Sequence, residues 1–165
     1  MKKKDGSFVM LFKDDSRQEI FLVYRSDWPL WNLIGGGIEP GETPKTAVIR
    51  ENVEETGLKI KVDRYLGVYE YHHPKTHTFV NYSHLFEGRY ISGVFKAEFS
   101  GCKGQWFSIN KLPVDITNTT KMRVIDAINF SGKEFHKTLS IPQLKDNLHL
   151  FIRHPIAIAK YFSRR

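Results

Sequence analysis

The sequence predicts a layered α/β domain, and three observations predict it. Short apolar, β-prone runs recur along the chain. A helix with matched start and stop signals falls between them, and a second amphipathic helix follows the last of them. A mix of strands with two or three helices packs as layers around one core, and 165 residues suit a single domain of that kind.

In chain order, "SFVMLF" and "EIFLVYR" are strand-like and the polar "KDDSRQ" between them makes a hairpin turn. "SDWPLWNLIGGGIEPGE" reads as loop, short strand and loop. Thr43-Pro44 then supplies an N-cap followed by proline at the first helical position, where its missing N–H costs nothing. Gly57 sits where a helix-ending glycine is expected, so the helix spans about 44–56. Three strands follow in "KIKVDRYLGVYEY", "FVNYSHLFEGRYI" and "GQWFSI". "LPVDITNTTKMRVIDAINF" reads as a turn and a second helix, with Met122, Ile125, Ala127, Ile128 and Phe130 on or near its apolar face. The core is expected over about 6–130. Residues 131–165 read as a helical extension packed on it, with a short helix from Pro155 that buries Ile156, Ile158 and Tyr161.

Composition excludes several classes. A 13% aromatic share argues against disorder. Cys102 is the one cysteine, so no intramolecular disulfide forms, which fits a reducing compartment. The apolar run "FVMLF" near the N-terminus is shorter than the roughly 7–15 residues of a secretory core. No stretch approaches the roughly 20 residues of a membrane span. The expectation is a soluble cytoplasmic protein with no membrane partner. The net charge of +7 is scattered and carries no nucleic-acid-binding signature, so it reads as a general attraction for anions.

Against that positive balance, residues 44–56 concentrate acid. Glu51, Glu54 and Glu55 stand at i, i+3 and i+4, on one ridge of the helix and flanked by Arg50. Like charges so placed repel. A hard divalent cation removes the conflict, and Mg²⁺ prefers oxygen ligands. The preceding Gly35, Gly36 and Gly37 let backbone approach a ligand without Cβ interference. The bland alternative is a solvated glutamate face.

The spacing of the whole stretch resembles the Nudix box. That pattern is Gly, five residues, Glu, seven residues, then Arg-Glu-hydrophobic-any-Glu-Glu-any-Gly-hydrophobic. Here Gly36, Glu42, Arg50, Glu51, Glu54, Glu55, Gly57 and Leu58 match, and Asn52 alone departs, at a hydrophobic position. The lead-in "WNLIGGGIEPGE" and the downstream "WFSINKLP" are also similar to family segments, although Ile34 replaces the usual proline before the glycines. The resemblance covers roughly 6–130 and implies a Nudix-type α/β/α sandwich with a central mixed β-sheet.

It further implies a hydrolase that cleaves a pyrophosphate bond in a nucleoside diphosphate linked to another group. An ADP-sugar, a dinucleoside polyphosphate or a (d)NTP would each qualify. Carried over by position, Glu51, Glu54 and Glu55 with a backbone carbonyl at Gly35 bind Mg²⁺, or Mn²⁺ as a substitute. Glu51 and Glu54 are the catalytic carboxylates, Arg50 orients Glu51, and Glu42 supports the loop. Gly36, Gly37, Arg25 and Trp31 are the expected substrate contacts. The proton acceptor is expected among the box glutamates, with Glu70, Glu87 and Glu98 as outside candidates. Pro74 stands about sixteen residues past the box, where the ADP-ribose branch places a proline. Trp28, Trp31, Tyr69 and Tyr71 could stack a base, and the histidines of "YEYHHPKTHT" read as a hairpin tip before a softer-metal site. The expected partner is a small nucleotide, not a nucleic acid, and a homodimer is compatible. The rival classes are a Nudix-type sensor that no longer cleaves and an RNA-processing relative. Asn52 places an amide on the packing face, so Asn52→Leu is expected to raise stability by around 1 kcal/mol if that amide lacks partners.

Overall fold

The computed structural model describes residues 4–25, 29–141 and 152–155. Among them, eight strands form one mixed sheet: β1 (Gly6–Phe12), β2 (Glu19–Tyr24), β3 (Trp31–Asn32), β4 (Ile34–Gly37), β5 (Lys59–His72), β6 (Phe79–Ser92), β7 (Lys103–Ser108) and β8 (Phe135–Ser140). Two helices, α1 (Pro44–Thr56) and α2 (Asn118–Ile128), complete the described elements. The sheet runs β3-β2-β1-β6-β5-β8, with β4 also on β1 and β7 also on β2. The β1–β6 and β5–β8 pairs are parallel and the others antiparallel. This is the expected α/β sandwich around a mixed sheet.

Strand period 2 divides the core in two. Val9 and Leu11 of β1 point to one face and pack with Val48 of α1, Leu58 and Phe86. Met10 and Phe12 point to the other and pack with Leu66, Tyr69, Val124 and Ala127 of α2. Tyr69 is fully buried and Tyr71 nearly so, which makes them core residues. Trp28 lies outside the described residues.

The expected hairpin of β1 and β2 is joined at one register pair, Phe12 with Ile20. The remainder of that edge of β1 is taken by β4, which pairs Gly37 to Gly6 and Gly35 to Phe8. β2 therefore diverges and pairs with β3 and β7. This split lays the glycine strand along the middle of the sheet.

The local signals of α1 act as read. Thr43 caps the helix through its side chain, Thr46 reciprocates, and Gly57 closes it in the left-handed region at φ 64°. Two other expectations are corrected. Ile125 of α2 is exposed, and Arg123 is buried with Val124 and Ala127 in its place. Within 131–165, where a helical extension was expected, Phe135–Ser140 is a strand, β8, paired with Gly67–His72 of β5. An alternating "FHKTLS" suits such an edge. Residues 156–165, with the expected docking side chains Ile156, Ile158 and Tyr161, lie outside the described residues. Among the described residues no helix is long and apolar enough to cross a membrane.

Asn52 is 1% exposed and satisfied. Its Nδ2 donates to the Leu58 carbonyl at 2.7 Å, and its Oδ1 accepts from the Thr56 hydroxyl at 3.1 Å. The Thr56 hydroxyl in turn accepts from the Leu58 N–H at 3.1 Å. This polar knot ties the end of α1 to the start of β5, so the condition for a stabilising Asn52→Leu is not met. The substitution would strand the Leu58 carbonyl in the core, while the Thr56 hydroxyl would keep the backbone carbonyl of residue 52, to which it donates at 2.7 Å. Asn52→Leu is expected to lower stability by about 1–3 kcal/mol, read from the urea midpoint. An unchanged or raised midpoint would contradict the network.

Candidate active site

Glu51, Glu54 and Glu55 sit in the second half of α1, where the helix dipole already disfavours negative charge. Arg50 answers both problems. Its Nη1 donates to Glu51 Oε1 at 2.9 Å and Glu54 Oε2 at 3.0 Å. Its Nε and Nη2 grip Glu42 at 2.8 and 3.0 Å, and Nη2 also reaches the Gly37 carbonyl at 3.0 Å. The planar guanidinium suits such forked contacts. One side chain thus joins α1, the end of β4 and the connecting loop. Arg50 holds the Glu42 carboxyl down to about 2, helped by the Glu39 N–H that donates to Glu42 Oε2 at 2.8 Å. Glu42 is spent on the loop.

Glu55 is different. Its side chain is 10% exposed. It receives the Gly35 N–H at 3.1 Å, and the Arg25 guanidinium stands 3.7 Å away. Burial outweighs both and pushes its carboxyl up to about 7, with the Glu51 charge adding to the rise.

The glycine strand lies directly on these carboxylates. A Cβ on Gly36 would come within 2.5 Å of the Glu51 carboxyl group, and one on Gly35 (φ +144°) would meet the Ser7 carbonyl at 2.2 Å. Glycine is needed here because backbone and carboxylates share the space.

The sequence-predicted residues divide cleanly. Arg50, Glu51, Glu54, Glu55, Glu42, Gly35, Gly36 and Gly37 come together, and Gly57 caps the helix. Arg25, at the end of β2, is 2.9 Å from Glu98 and lies over the Phe99 ring. It brings Glu98, in the loop before β7, to the Glu55 side of the site. Glu98 is one of the three outside acids the sequence offers, but the six residues before the Trp106 strand segment contain none, so sequence alone did not single it out from Glu70 and Glu87. Trp31 is half-buried and packs against Tyr24 and Phe107, with centroids 5.5 and 4.8 Å away.

The other two outside acids are committed elsewhere. Glu87 is 3% exposed and is bound by Arg17 and Arg64. Glu70 bridges His72 and His136 at 2.6 and 2.7 Å. Pro74 is in the β5–β6 turn, whose hydrogen bonds close within it, His73 N–H to Thr78 and His77 N–H to His73.

Among the described residues no three His, Cys, Asp or Glu side chains already converge as a metal-ligand set. Arg50 occupies one oxygen each of Glu51 and Glu54 and leaves Glu51 Oε2 and Glu54 Oε1 uncommitted among the described residues. With Glu55 Oε1, these are hard oxygen donors on one ridge, beside a buried carboxyl in need of a counter-charge. The donor set fits a divalent cation.

Two outcomes follow from this geometry. The raised carboxyl of Glu55 favours the protonated form in the folded state. Its contribution to stability is therefore full below about 4.5, the unfolded value, and is lost as pH rises through about 7. In metal-free protein the loss is on the order of 3 kcal/mol between those limits. Denaturant titrations across pH are expected to show it in the wild type and not in Glu55→Gln. Gly36→Ala is expected to fold but to displace the Glu51 carboxylate, cutting kcat by at least ~10-fold. Wild-type turnover by that variant would contradict the close approach.

Comparison with known proteins agrees with this arrangement. The family model described as the NUDIX domain matches residues 3–127. A Bacillus subtilis protein named provisionally as an 8-oxo-dGTP diphosphatase is 36% identical over 125 residues, covering 75% of this chain and 79% of its own. Diphosphoinositol polyphosphate phosphohydrolase 2 of Mus musculus is 28% identical over 152 residues, covering 90% of this chain and 84% of its own. In fold, the chain is similar to an ADP-ribose pyrophosphatase from Streptococcus suis 89-1591, with TM-score 0.61 and 22% identity over 83% of this chain and 98% of that one. It is also similar to a Nudix hydrolase from Nitrosomonas europaea, with TM-score 0.64 and 17% identity over 87% of this chain and 82% of that one. A guanidinium-clamped glutamate ridge laid against a glycine strand, matched by the family model over most of the chain, makes this protein a member of the Nudix hydrolase family.

Proposed function

We propose that the protein is a Mg²⁺-dependent pyrophosphohydrolase of nucleoside diphosphate derivatives, working through Glu51, Glu54 and Glu55. The observation that carries the reading is the Arg50 clamp, which fixes two of the three carboxylates and leaves an oxygen of each for a ligand. Nudix hydrolases generally use divalent metal ions, and the hard oxygen donors here favour Mg²⁺, with Mn²⁺ as a substitute.

Glu51, Glu54 and Glu55, with the Gly35 backbone carbonyl, would hold the ion. Bound there, a divalent cation supplies charge neutralisation at the phosphate oxygens and a more acidic water. Arg50 keeps Glu51 and Glu54 from swinging away and neutralises part of their mutual repulsion. Water attacks one phosphorus of the pyrophosphate and loses its proton to a carboxylate, with Glu51 or Glu54 as the acceptor, and the bond from that phosphorus to the bridging oxygen breaks so that the other phosphate leaves. Glu98 is a second candidate, held at the site's edge by Arg25 at 2.9 Å. Gly36 and Gly37 offer backbone to the phosphates without side-chain obstruction.

The substrate panel comprises 8-oxo-dGTP, the dNTPs, ADP-ribose, diadenosine tetraphosphate and a diphosphoinositol polyphosphate, each with Mg²⁺ and with Mn²⁺. Turnover of at least one nucleotide that depends on added metal is the expected result. If none is cleaved, the reading fails. If ADP-ribose is not within ten-fold of the best kcat/KM, Pro74 is only a turn residue. Glu54→Gln and Glu55→Gln are each expected to keep the fold and to lose at least ~100-fold in kcat at saturating Mg²⁺. The pH–rate profile separates the proton acceptors. Glu98→Gln shifts its acidic limb if Glu98 takes the proton and leaves it in place if a box glutamate does.

A further inference from the structure

Arg123 of α2 is 8% exposed, and its charge has no carboxylate partner among the described residues. Asp126, one turn on, is already spent: Tyr69 donates to its Oδ2 at 2.8 Å and Lys137 to its Oδ1 at 2.6 Å. Arg123 donates through Nη2 to the Ser83 hydroxyl at 2.6 Å and lies over the Phe8 ring, 4.0 Å from its centroid. Among the described residues its Nε finds no acceptor. Burial pushes the guanidinium down from its ordinary value.

Two further donors belong with it. The Tyr71 hydroxyl, on a residue 6% exposed, faces the Arg123 guanidinium and supports its charge, but among the described residues it finds no acceptor for its own proton. The Ser83 oxygen accepts from Arg123, so its own proton is available to another acceptor. A buried cation and unpartnered donors without a counter-charge are costly, and such groups in folded proteins ordinarily have a partner. The partner that satisfies all three is an oxyanion.

The position is informative. Ser83 stands opposite Gly6 on β1, and Gly6 stands opposite Gly37 on β4. Ser83 is therefore two strand spacings, about 10 Å, from the glycine strand of the candidate active site. Phe8 lies between them, close enough that a Cβ on Gly35 would meet its ring at 2.9 Å.

We propose that Arg123, Tyr71 and Ser83 form a buried oxyanion subsite that takes a phosphate group of the substrate away from the scissile bond. The proposal rests on the pyrophosphohydrolase reading for its substrate, but the site itself binds phosphate without turnover. The competing account is that the Phe8 ring alone stabilises Arg123, in which case no anion is needed.

The test is calorimetric titration of metal-free protein with inorganic phosphate, in wild type, Glu54→Gln, Arg123→Met and Tyr71→Phe. Wild type and Glu54→Gln are expected to bind with the same Kd. Arg123→Met is expected to bind at least ~10-fold more weakly and Tyr71→Phe at least ~3-fold more weakly, as charge-assisted hydrogen bonds are lost. Absence of phosphate binding by the wild type, or wild-type affinity in Arg123→Met, overturns the proposal. If Arg123→Met does not fold, Tyr71→Phe decides, because it removes one hydroxyl and keeps the charge. Wild-type affinity there also overturns it. A wild type that cleaves no nucleotide but shows this phosphate pattern would sink the functional reading and leave the subsite standing.

Discussion

The structure of this site depends on one guanidinium shared among three carboxylates. Arg50 bonds Glu42, Glu51, Glu54 and the Gly37 carbonyl at once. Without it, α1 would carry adjacent negative charges toward the unfavourable end of its dipole. With it, the helix, the loop and the glycine strand are fixed to a common centre, and the unpaired oxygens of Glu51 and Glu54 acquire a direction. A lysine would not reproduce this, because a point charge lacks the planar fork that grips Glu42 and Gly37 together.

Two buried carboxylates show how environment separates structure from chemistry. Glu87 has both oxygens taken, one by Arg17 at 2.9 Å and the other by Arg64 at 2.8 Å. Its charge is compensated and it braces the far end of the sheet. Glu55 has a single backbone N–H and a guanidinium at 3.7 Å. Its charge is under-compensated, and its carboxyl is pushed up to about 7 by burial. A buried acid in that condition is a candidate for a ligand that brings positive charge.

The sheet makes both possible. β1 is bordered by β4 on one side and β6 on the other, so the glycine strand runs beside a strand buried on both faces. α1 covers one face and α2 the other. The Asn52–Thr56–Leu58 network fastens α1 to β5 at the position where the box pattern has a hydrophobic side chain. A satisfied amide fixes that junction by direction as well as by contact.

The sequence by itself determined the class of fold, the limits of α1 and the membership of the box ridge. These follow from short-range rules: a capping threonine, a proline at the first turn, a closing glycine, and i, i+3, i+4 geometry. The Arg50–Glu51 contact was legible for the same reason, since the two are neighbours in the chain. Only the tertiary structure decided what depends on distant pairings. It found the partners of Asn52, put Arg123 and not Ile125 toward the core, made a strand of Phe135–Ser140, and brought Glu98 to the site through Arg25. Each of those outcomes is set by which segments lie side by side. A periodicity along one segment cannot encode the acceptor that another segment will offer, because burial and hydrogen bonding are settled jointly when the sheet and its two helices pack.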